Sequence, residues 1–260
     1  MGKIILKYLI YRIFSRHRYG HGIHSPFVYQ FIRNVLMKRE ADCTLVEVMK
    51  WHKRVSKMEI PAGKFRHGAG SKFGCQSKRP INLPAAKIGV SRKYGVLLYR
   101  MVQYFSPSLI IELGTGSGIS TGYLASADRD IPVISVEGDA DRSNFARHIV
   151  SELKRDNCQF VIEDFTRFLS GFKKPEKPFL VFIDGDHRYQ PTMDYFHHFA
   201  DLADKDSVII FDDIRWSDEM TKAWKTIRKD PRVRVSIDLF FMGIVFFNPS
   251  ITPQNLIIKF

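Results

Sequence analysis

Three acidic residues follow two predicted strands in the C-terminal half of the chain, where they could bind a cation. Asp184 follows the apolar run PFLVFI, and Asp212 and Asp213 follow the run SVIIF. Adjacent parallel strands bring their carboxyl ends together, so we expect these side chains to lie close to one another. Crowded carboxylates are unfavourable unless protons or a cation compensate, and Mg²⁺ prefers oxygen ligands. We predict that Asp184, Asp212 and Asp213 bind Mg²⁺; alternatively, Asp213 and Asp218 lie at the start of a helix capped by Ser217.

A histidine three residues after Asp184 could move a proton in the same region. His187 belongs to the segment DGDHRY. An imidazole with an unperturbed pKa of about 6.5 can accept a proton from a hydroxyl group near neutral pH. We therefore predict His187 and Asp184 as catalytic residues, and the alternative for His187 is a loop residue that only donates or accepts hydrogen bonds.

Three glycines after an earlier predicted strand could hold a nucleotide cofactor. The segment ELGTGSG places Gly114, Gly116 and Gly118 after Glu112 and before a predicted helix. Glycine lets the backbone turn sharply and approach a ligand, and the helix start presents unpaired N–H groups there. A dinucleotide-binding fingerprint would need glycine in place of Ile119, and a phosphate-binding loop would need Gly-Lys-Ser or Gly-Lys-Thr. We predict cofactor binding by Glu112 and the three glycines, with a purely structural turn as the alternative.

Acidic residues at the ends of the next two strands extend this predicted cofactor site. Glu137 ends the second strand, where a carboxylate can accept both ribose hydroxyls of a nucleoside. The third strand ends in Glu163-Asp164-Phe165, where an acidic side chain could bind an adenine amino group and Phe165 could stack on the ring. Together these positions predict a nucleoside cofactor, to whose site we also assign Asp184.

The elements that must position these residues alternate between strands and helices. Segments of helical length at 141–155 and 190–203 separate apolar runs that predict strands, namely SLIIEL, PVISVE, CQFVIE, PFLVFID and DSVIIFDD. This alternation is typical of a doubly wound parallel sheet. VRVSIDL and FFMGIVFF follow each other too closely for a helical connection and predict an antiparallel hairpin. We therefore predict an α/β fold with a mostly parallel seven-stranded sheet that ends in that hairpin.

The N-terminal third of the chain predicts a separate extension. Helices are predicted near 3–14, 27–57 and 90–105, and a loop rich in Gly, Ser, Lys and Arg is predicted over 61–84. We divide the chain at residue 90 into a basic helical extension, residues 1–90, and a cofactor-binding domain, residues 91–260.

Charge is distributed unevenly along the chain. Residues 1–94 contain 20 Lys and Arg against 4 Asp and Glu, whereas residues 95–260 contain 20 against 23. This excess indicates an anionic partner, which could be nucleic acid, a lipid surface or an acidic substrate. No apolar run reaches the roughly 18 residues that cross a bilayer, and Lys3, Lys7 and Arg12 interrupt the opening segment too early for a signal peptide. We expect a cytoplasmic protein without a transmembrane segment; a homodimer is left open.

The pattern ELGTGSG with an acidic second-strand end resembles the S-adenosylmethionine-dependent class I methyltransferases. The segments HGIHSPFVYQF, RKYGVLLYR and FDDIRWSDEM also resemble parts of uncharacterised bacterial methyltransferases of this class. The resemblance implies that Gly114, Gly116 and Gly118 pass the methionine end of S-adenosylmethionine. It also implies that Glu137 holds the ribose and Asp164 the adenine. It implies methyl transfer without specifying the acceptor.

The residues after PFLVFI and SVIIF are similar to those of metal-dependent O-methyltransferases of the catechol and caffeoyl-CoA types. In those families, an Asp after strand four and an Asp-Asn pair after strand five hold Mg²⁺. Asp184 and Asp212 match this pattern, Asp213 stands in place of the Asn, and Trp216 matches a Trp of the plant-type pattern. His187 stands in place of a catalytic Lys. The Asp-Asp pair and the DGD run also resemble the macrocin-type sugar O-methyltransferases.

Three functions are consistent with these features. The favoured one is an O-methyltransferase for a small hydroxylated acceptor, assisted by Mg²⁺, in which the acceptor oxygen attacks the sulfonium methyl group in line. The second is a nucleic-acid methyltransferase that uses the basic residues 1–94, although strand four lacks the Asn/Asp-Pro-Pro-Tyr/Phe signature of base methylation. The third is a non-catalytic binding protein on the same fold, which the departures at Asp213 and His187 would allow.

Overall fold

The chain forms two compact units in the computed structural model. The glycine-turn unit is Glu40–Lys177, and the carboxylate unit combines Met1–Arg39 with Pro178–Phe260. The structure describes residues 2–17, 19–60, 83–173 and 178–260. The predicted loop, with its glycine-rich stretch and Cys75, therefore lies outside the described residues apart from its last two positions.

Helices and strands interleave along the chain. The helices are α1 Gly2–Phe14, α2 Pro26–Phe31, α3 Cys43–Val55, α4 Arg92–Phe105, α5 Ile119–Ala127, α6 Ala140–Ser151, α7 Phe165–Gly171, α8 Tyr189–Leu202 and α9 Asp218–Ile227. The strands are β1 Glu59–Ile60, β2 Leu83–Pro84, β3 Leu109–Leu113, β4 Val133–Glu137, β5 Cys158–Ile162, β6 Phe179–Ile183, β7 Val208–Phe211, β8 Val235–Asp238, β9 Gly243–Phe246 and β10 Gln254–Ile257. A π-helical turn, Ile32–Leu36, extends α2, and a 3₁₀ turn, Ala85–Lys87, follows β2.

The glycine-turn unit is built on three parallel strands in the order β3, β4, β5. The apolar side chains of β3 and β4 are mostly buried, as expected for parallel strands covered by helices, whereas those of β5 are partly or fully exposed. Helix α3 approaches α5 closely, because a Cβ atom at Gly122 would lie 2.4 Å from the ring of Trp51. The Trp51 indole N–H also donates to the carbonyl of Ile149 at 3.0 Å. These contacts fix the helix that begins at the glycine turn.

The carboxylate unit contains five strands in the order β10, β8, β9, β7, β6. Strand β9 runs antiparallel to both β7 and β8, whereas β6 is parallel to β7 and β10 is parallel to β8. The predicted mostly parallel α/β fold with a closing hairpin is confirmed. Strand β10 was not predicted, because its sequence QNLI is short and half polar and its side chains are only partly buried.

The first 39 residues belong to the carboxylate unit through contacts of α1. The Tyr11 hydroxyl donates to the carbonyl of Ile258 at 2.5 Å, and the Tyr11 ring lies 5.2 Å from that of Phe240. Apolar and aromatic packing therefore joins this segment to the C-terminal strands. The grouping of residues differs from the predicted division at residue 90.

The single helix predicted over 27–57 is instead two helices. The α2 segment with its π-helical turn ends at Leu36, and α3 begins at Cys43. Asp42 caps α3, because its carboxylate accepts a hydrogen bond from the Leu45 N–H at 2.7 Å. That cap competes with a continuous helix, so the prediction was wrong between residues 37 and 42.

Among the described residues, none of the helices combines the length and the hydropathy needed to cross a membrane.

Candidate active site

The glycine turn joins strand β3 to helix α5. Gly114, Gly116 and Gly118 have φ angles of 107°, 52° and 72°, a region that residues with a side chain rarely adopt. A Cβ atom at Gly118 would also lie 2.8 Å from the Cβ atom of Ala146 on α6. The turn therefore depends on glycine both for its backbone conformation and for its close approach to α6.

The side chain of Glu137 lies beside this turn. Its Oε2 atom accepts a hydrogen bond from the Gly116 N–H at 3.0 Å, and its Oε1 atom accepts one from the Asp139 N–H at 3.1 Å. Asp139 caps α6 by accepting from the N–H groups of Asp141 and Arg142. Glu137 itself is half-buried. The structure thus places the carboxylate from the end of β4 directly at the glycine turn.

Glu112 is completely buried. Its Oε2 atom accepts hydrogen bonds from the hydroxyls of Thr121 and Ser135, each at 2.5 Å, and Ser135 also contacts the Thr115 hydroxyl at 2.6 Å. Burial raises the pKa of Glu112 to about 7, although the hydroxyl groups partly stabilise its charged form. In this structure Glu112 therefore connects β3, β4 and α5 and is not accessible to solvent.

Asp164 is the N-cap of helix α7. Its Oδ1 atom accepts hydrogen bonds from the N–H groups of Thr166 at 2.9 Å and Arg167 at 3.3 Å. Glu163 forms an ion pair with Arg167 at 3.0 Å. Asp164 is exposed and Phe165 is partly exposed. The residues predicted to hold adenine are thus accessible at the end of β5, where Asp164 also has a structural role.

A histidine and two carboxylates lie together after strands β6 and β7 of the carboxylate unit. The Nε2 atom of His187 is 3.6 Å from Oδ1 of Asp184 and 4.0 Å from Oδ2 of Asp213. The side chains of His187, Asp184 and Asp213 are 21%, 15% and 28% exposed, so solvent can still reach them. The structure therefore brings together three residues that the sequence predicted to lie in one region.

Burial shifts the pKa values of this cluster. It lowers the pKa of His187, although the charges of Asp213 and Asp186 oppose this change. Burial also raises the pKa of Asp212 well above its usual value, and repulsion from Asp213 raises it further. Asp213 has a pKa raised by burial, which the nearby His187 partly offsets. The lowered pKa of His187 therefore favours a neutral imidazole.

The three predicted Mg²⁺ ligands do not form a metal-binding arrangement. Within the part of the chain that the structure describes, no three His, Cys, Asp or Glu side chains are placed so that they could hold one ion. The imidazole of His187 instead lies against Asp184 and Asp213, where it can compensate their charge. As placed, these side chains do not fit a shared Mg²⁺ ion.

Several supporting contacts were not predicted. Arg188 forms two 2.6 Å hydrogen bonds with the carboxylate of Asp186, beside His187 in the chain. The hydroxyl contacts of Glu112 with Thr121 and Ser135 were also missed. The sequence does contain a signal for these contacts, namely Ser135 within the apolar run VISVE. A polar residue inside a buried strand needs a hydrogen-bonding partner, which here is Glu112.

Ser217 caps a helix, as the alternative interpretation of the sequence around Asp213 predicted. Its side chain accepts a hydrogen bond from the Met220 N–H at 3.0 Å and caps α9. Asp213 lies before this helix with a φ of 53°, and its carbonyl accepts from the Trp216 N–H at 2.9 Å. The helix cap and the His187 contact therefore coexist.

Comparisons with known proteins identify the fold. Residues 111–214 match the family model described as a methyltransferase domain. The chain is similar to the O-methyltransferase TomG from Streptomyces achromogenes, solved with S-adenosylmethionine, at 18% identity over 85% of this chain and 94% of that chain, with a TM-score of 0.56. It is similar to an O-methyltransferase from Bacillus cereus, solved with S-adenosylhomocysteine, at 22% identity over 85% and 97%, with a TM-score of 0.54.

The same fold occurs with a different substrate. A precorrin-6y C5,15-methyltransferase from Geobacter metallireducens matches at 13% identity over 62% of this chain and 92% of that chain, with a TM-score of 0.51. No curated protein matches the sequence. The predicted class I methyltransferase fold is confirmed by these similarities in structure. The fold alone does not define the methyl acceptor.

Proposed function

We propose that this chain, with its methyltransferase domain at residues 111–214, is an S-adenosylmethionine-dependent O-methyltransferase for a small hydroxylated acceptor. The observation that carries the proposal is the placement of His187 against two carboxylates after β6 and β7. O-methylation requires a group that removes the hydroxyl proton as the oxygen attacks. A half-buried, neutral imidazole beside two carboxylates has this capacity.

The residues of the glycine-turn unit fit the proposed cofactor. Gly114, Gly116 and Gly118 present backbone without side chains, and the half-buried carboxylate of Glu137 lies at the same turn. Glu137 would accept the ribose hydroxyls. Asp164 and the ring of Phe165 would contact the adenine, as both are accessible at the end of β5. When bound, S-adenosylmethionine supplies an electrophilic methyl group on a sulfonium.

Glu112 would support this site without contacting solvent. Its carboxylate holds Thr121 at the start of α5 and Ser135 on β4. These bonds fix the two elements that flank the glycine turn. We therefore assign Glu112 a positioning role in cofactor binding.

His187 would act as the general base on the acceptor hydroxyl. Burial lowers its pKa, so the ring is neutral and able to accept a proton at neutral pH. The Nε2 atom faces Asp184 and Asp213, so the proton would be taken on the other ring nitrogen. The two carboxylates would stabilise the imidazolium that forms. Asp184 would thus assist catalysis through its charge.

The proposal is tested by cofactor binding and turnover. Calorimetry with S-adenosylmethionine should detect binding, and release of S-adenosylhomocysteine should be measured across phenol, catechol and sugar acceptors. Absence of cofactor binding would overturn the enzyme assignment and favour a non-catalytic protein on this fold. Turnover on amines or nucleic acid, without turnover on hydroxyl compounds, would overturn the acceptor class.

A metal-assisted version of the reaction makes a different prediction. It would require Asp184, Asp212 and Asp213 to bind one ion, whereas their present contacts favour compensation by His187. We expect turnover to be unchanged by EDTA. Loss of turnover in EDTA that is restored by Mg²⁺ would show that the carboxylates rearrange around a metal.

A further inference from the structure

Among the described side chains of helix α1, six large apolar ones are exposed on one side of the helix, and Tyr8 on the other side is 40% exposed. The exposed fraction ranges from 47% for Ile10 to 73% for Ile13, and the set comprises Ile5, Leu6, Leu9, Ile10, Ile13 and Phe14. With about 3.6 residues per turn, they form one continuous arc that covers roughly half of the helix circumference. Single exposed apolar residues are common on protein surfaces, but a continuous apolar face indicates an interaction site.

The opposite face of α1 is fixed to the carboxylate unit. Lys7 forms an ion pair with Asp218 at 3.0 Å, and the ring of Tyr8 packs edge-on against Phe240 at 5.0 Å. Tyr11 is buried against the same ring. The orientation of the helix is therefore set by these contacts, and the apolar arc faces outward.

The surroundings of this face are positively charged. Residues 1–39 contain eight Lys and Arg and no Asp or Glu. Exposed basic side chains on the segment are those of Arg12, Arg16, Arg33, Lys38 and Arg39. Arg12 adjoins the apolar arc on α1 itself. A binding partner for this segment must therefore accept apolar side chains and positive charge together.

We propose that α1 binds in the plane of an anionic phospholipid surface, with its apolar arc in the acyl boundary and its basic residues at the headgroups. A polynucleotide would satisfy the charge but would leave isoleucine and leucine side chains without an apolar environment. A second copy of the chain would cover the apolar arc but would bring two positively charged segments together. An anionic bilayer satisfies both requirements.

The helix is suited to lie on a bilayer and not to cross it. Its 13 residues extend about 20 Å, whereas the hydrocarbon core is about 30 Å thick. The fixed inner face keeps the arc accessible while the chain remains folded. This proposal concerns the attachment of the protein to a surface and does not depend on the reaction that it catalyses.

Vesicle sedimentation with the full chain tests the proposal. We expect binding to vesicles of phosphatidylcholine and phosphatidylglycerol, and weak binding to phosphatidylcholine alone. Leu9→Glu combined with Ile13→Glu should reduce the partition coefficient at least tenfold, because two apolar side chains are lost from the contact and two like charges are added near anionic lipid. Arg12→Gln combined with Arg16→Gln should reduce binding to anionic vesicles roughly tenfold.

A matched control uses two exposed apolar residues of the glycine-turn unit. Val46 and Ile162 are 36% and 46% exposed, so Val46→Glu with Ile162→Glu makes the same change of charge and polarity away from α1. This control should bind vesicles as the wild type does, and circular dichroism should verify that each variant is folded. Equal binding by the α1 variant and the wild type would overturn the proposal.

Two further outcomes would identify another occupant. If a second copy covers the apolar arc, sedimentation velocity without lipid would show a dimer for the wild type and a monomer for the Leu9→Glu and Ile13→Glu variant. If RNA competes with vesicles for the protein, and if the Leu9→Glu and Ile13→Glu variant binds RNA as the wild type does, residues 1–39 bind nucleic acid. Either result, together with absence of binding to anionic vesicles, would overturn the lipid assignment.

Discussion

The glycine-turn unit and the carboxylate unit hold their candidate site residues by different means. In the first, backbone conformation and hydrogen bonds to N–H groups shape the site, as at Gly118 and Glu137. In the second, side-chain charge dominates, because His187 lies against Asp184 and Asp213. A site shaped by backbone groups is sensitive to changes in backbone conformation, and a site formed by ionisable side chains is sensitive to changes in protonation.

Under the proposed function, this difference assigns cofactor binding and proton transfer to different units. A glycine turn accepts a ligand through groups that every residue possesses, so few side chains need to be specified. The reactive cluster depends on the identity of each ionisable side chain, and a single exchange alters its charge. Substitutions in the two units should therefore separate cofactor affinity from turnover.

The largest effect should come from His187→Gln. If His187 is the general base, its loss should lower kcat by about a thousandfold, within the usual contribution of proton transfer. The dissociation constant of S-adenosylmethionine, measured by calorimetry, should stay within twofold because the glycines proposed to bind the cofactor belong to the glycine-turn unit. His148→Gln, which alters an exposed histidine of α6, is the control. An unchanged kcat would remove His187 from the mechanism.

Glu112→Gln should change the pH dependence of stability. The folded pKa of about 7 exceeds the ordinary value of 4.5, so the folded state holds this proton more tightly. The wild type should therefore lose stability as pH rises from 4.5 to 7, by at most about 3 kcal/mol. The variant should lack this loss in urea unfolding curves.

Glu152 is the control for the titration of Glu112, because its pKa is lowered in the folded state and its contribution to stability therefore changes with pH in the opposite direction. Arg54 lowers the pKa of Glu152 through a hydrogen bond, so the contribution of this pair is lost as pH falls through the pKa of folded Glu152. Glu152→Gln should thus reduce stability above the ordinary pKa. Identical pH slopes for wild type and Glu112→Gln would contradict the buried, raised-pKa carboxyl.

Gly118→Ala should disturb the glycine turn. The left-handed backbone and the close approach to Ala146 should together lower the free energy of unfolding by about 2 kcal/mol. Cofactor affinity should fall with it. Gly171→Ala is the control, because a Cβ atom there meets nothing within 4 Å. Equal melting temperatures for the two variants would show that the turn accommodates a side chain.

Glu137→Gln should have the smallest effect. The amide retains the shape of the carboxylate but loses the charge that strengthens bonds to N–H and hydroxyl groups. We expect an approximately tenfold weaker affinity for S-adenosylmethionine with kcat nearly unchanged at saturation. Calorimetry measures the effect on cofactor affinity, and kcat and KM measurements show whether turnover also changes. A large loss of kcat at saturating cofactor would place Glu137 in the reaction itself.

Much of the fold could be predicted because its strands are buried apolar runs between helices. The strands at SLIIEL and PVISVE and the closing hairpin were predicted from this pattern. Strand β10 and the break before Cys43 were not. Pairing by QNLI depends on a partner strand, and the break depends on a cap by Asp42. Neither feature produces a local hydrophobic pattern.

The candidate site was predictable in its positions but not in its electrostatics. Strand ends located Asp184, Asp212 and Asp213, since parallel strands present their carboxyl ends on one side. Whether a metal or a histidine balances these charges depends on distances and burial. The packing of His187 against two carboxylates and the neutral form favoured for Asp212 are properties of the folded chain.

The left-handed backbone at Asp213 limits which residues this position can accept during evolution. With a φ of 53°, aspartate, asparagine and glycine fit with little strain, whereas β-branched and bulky residues do not. An Asp-to-Asn exchange therefore removes one titratable group beside His187 without a backbone rearrangement. One substitution can thus alter the electrostatics of this loop while its backbone conformation is kept.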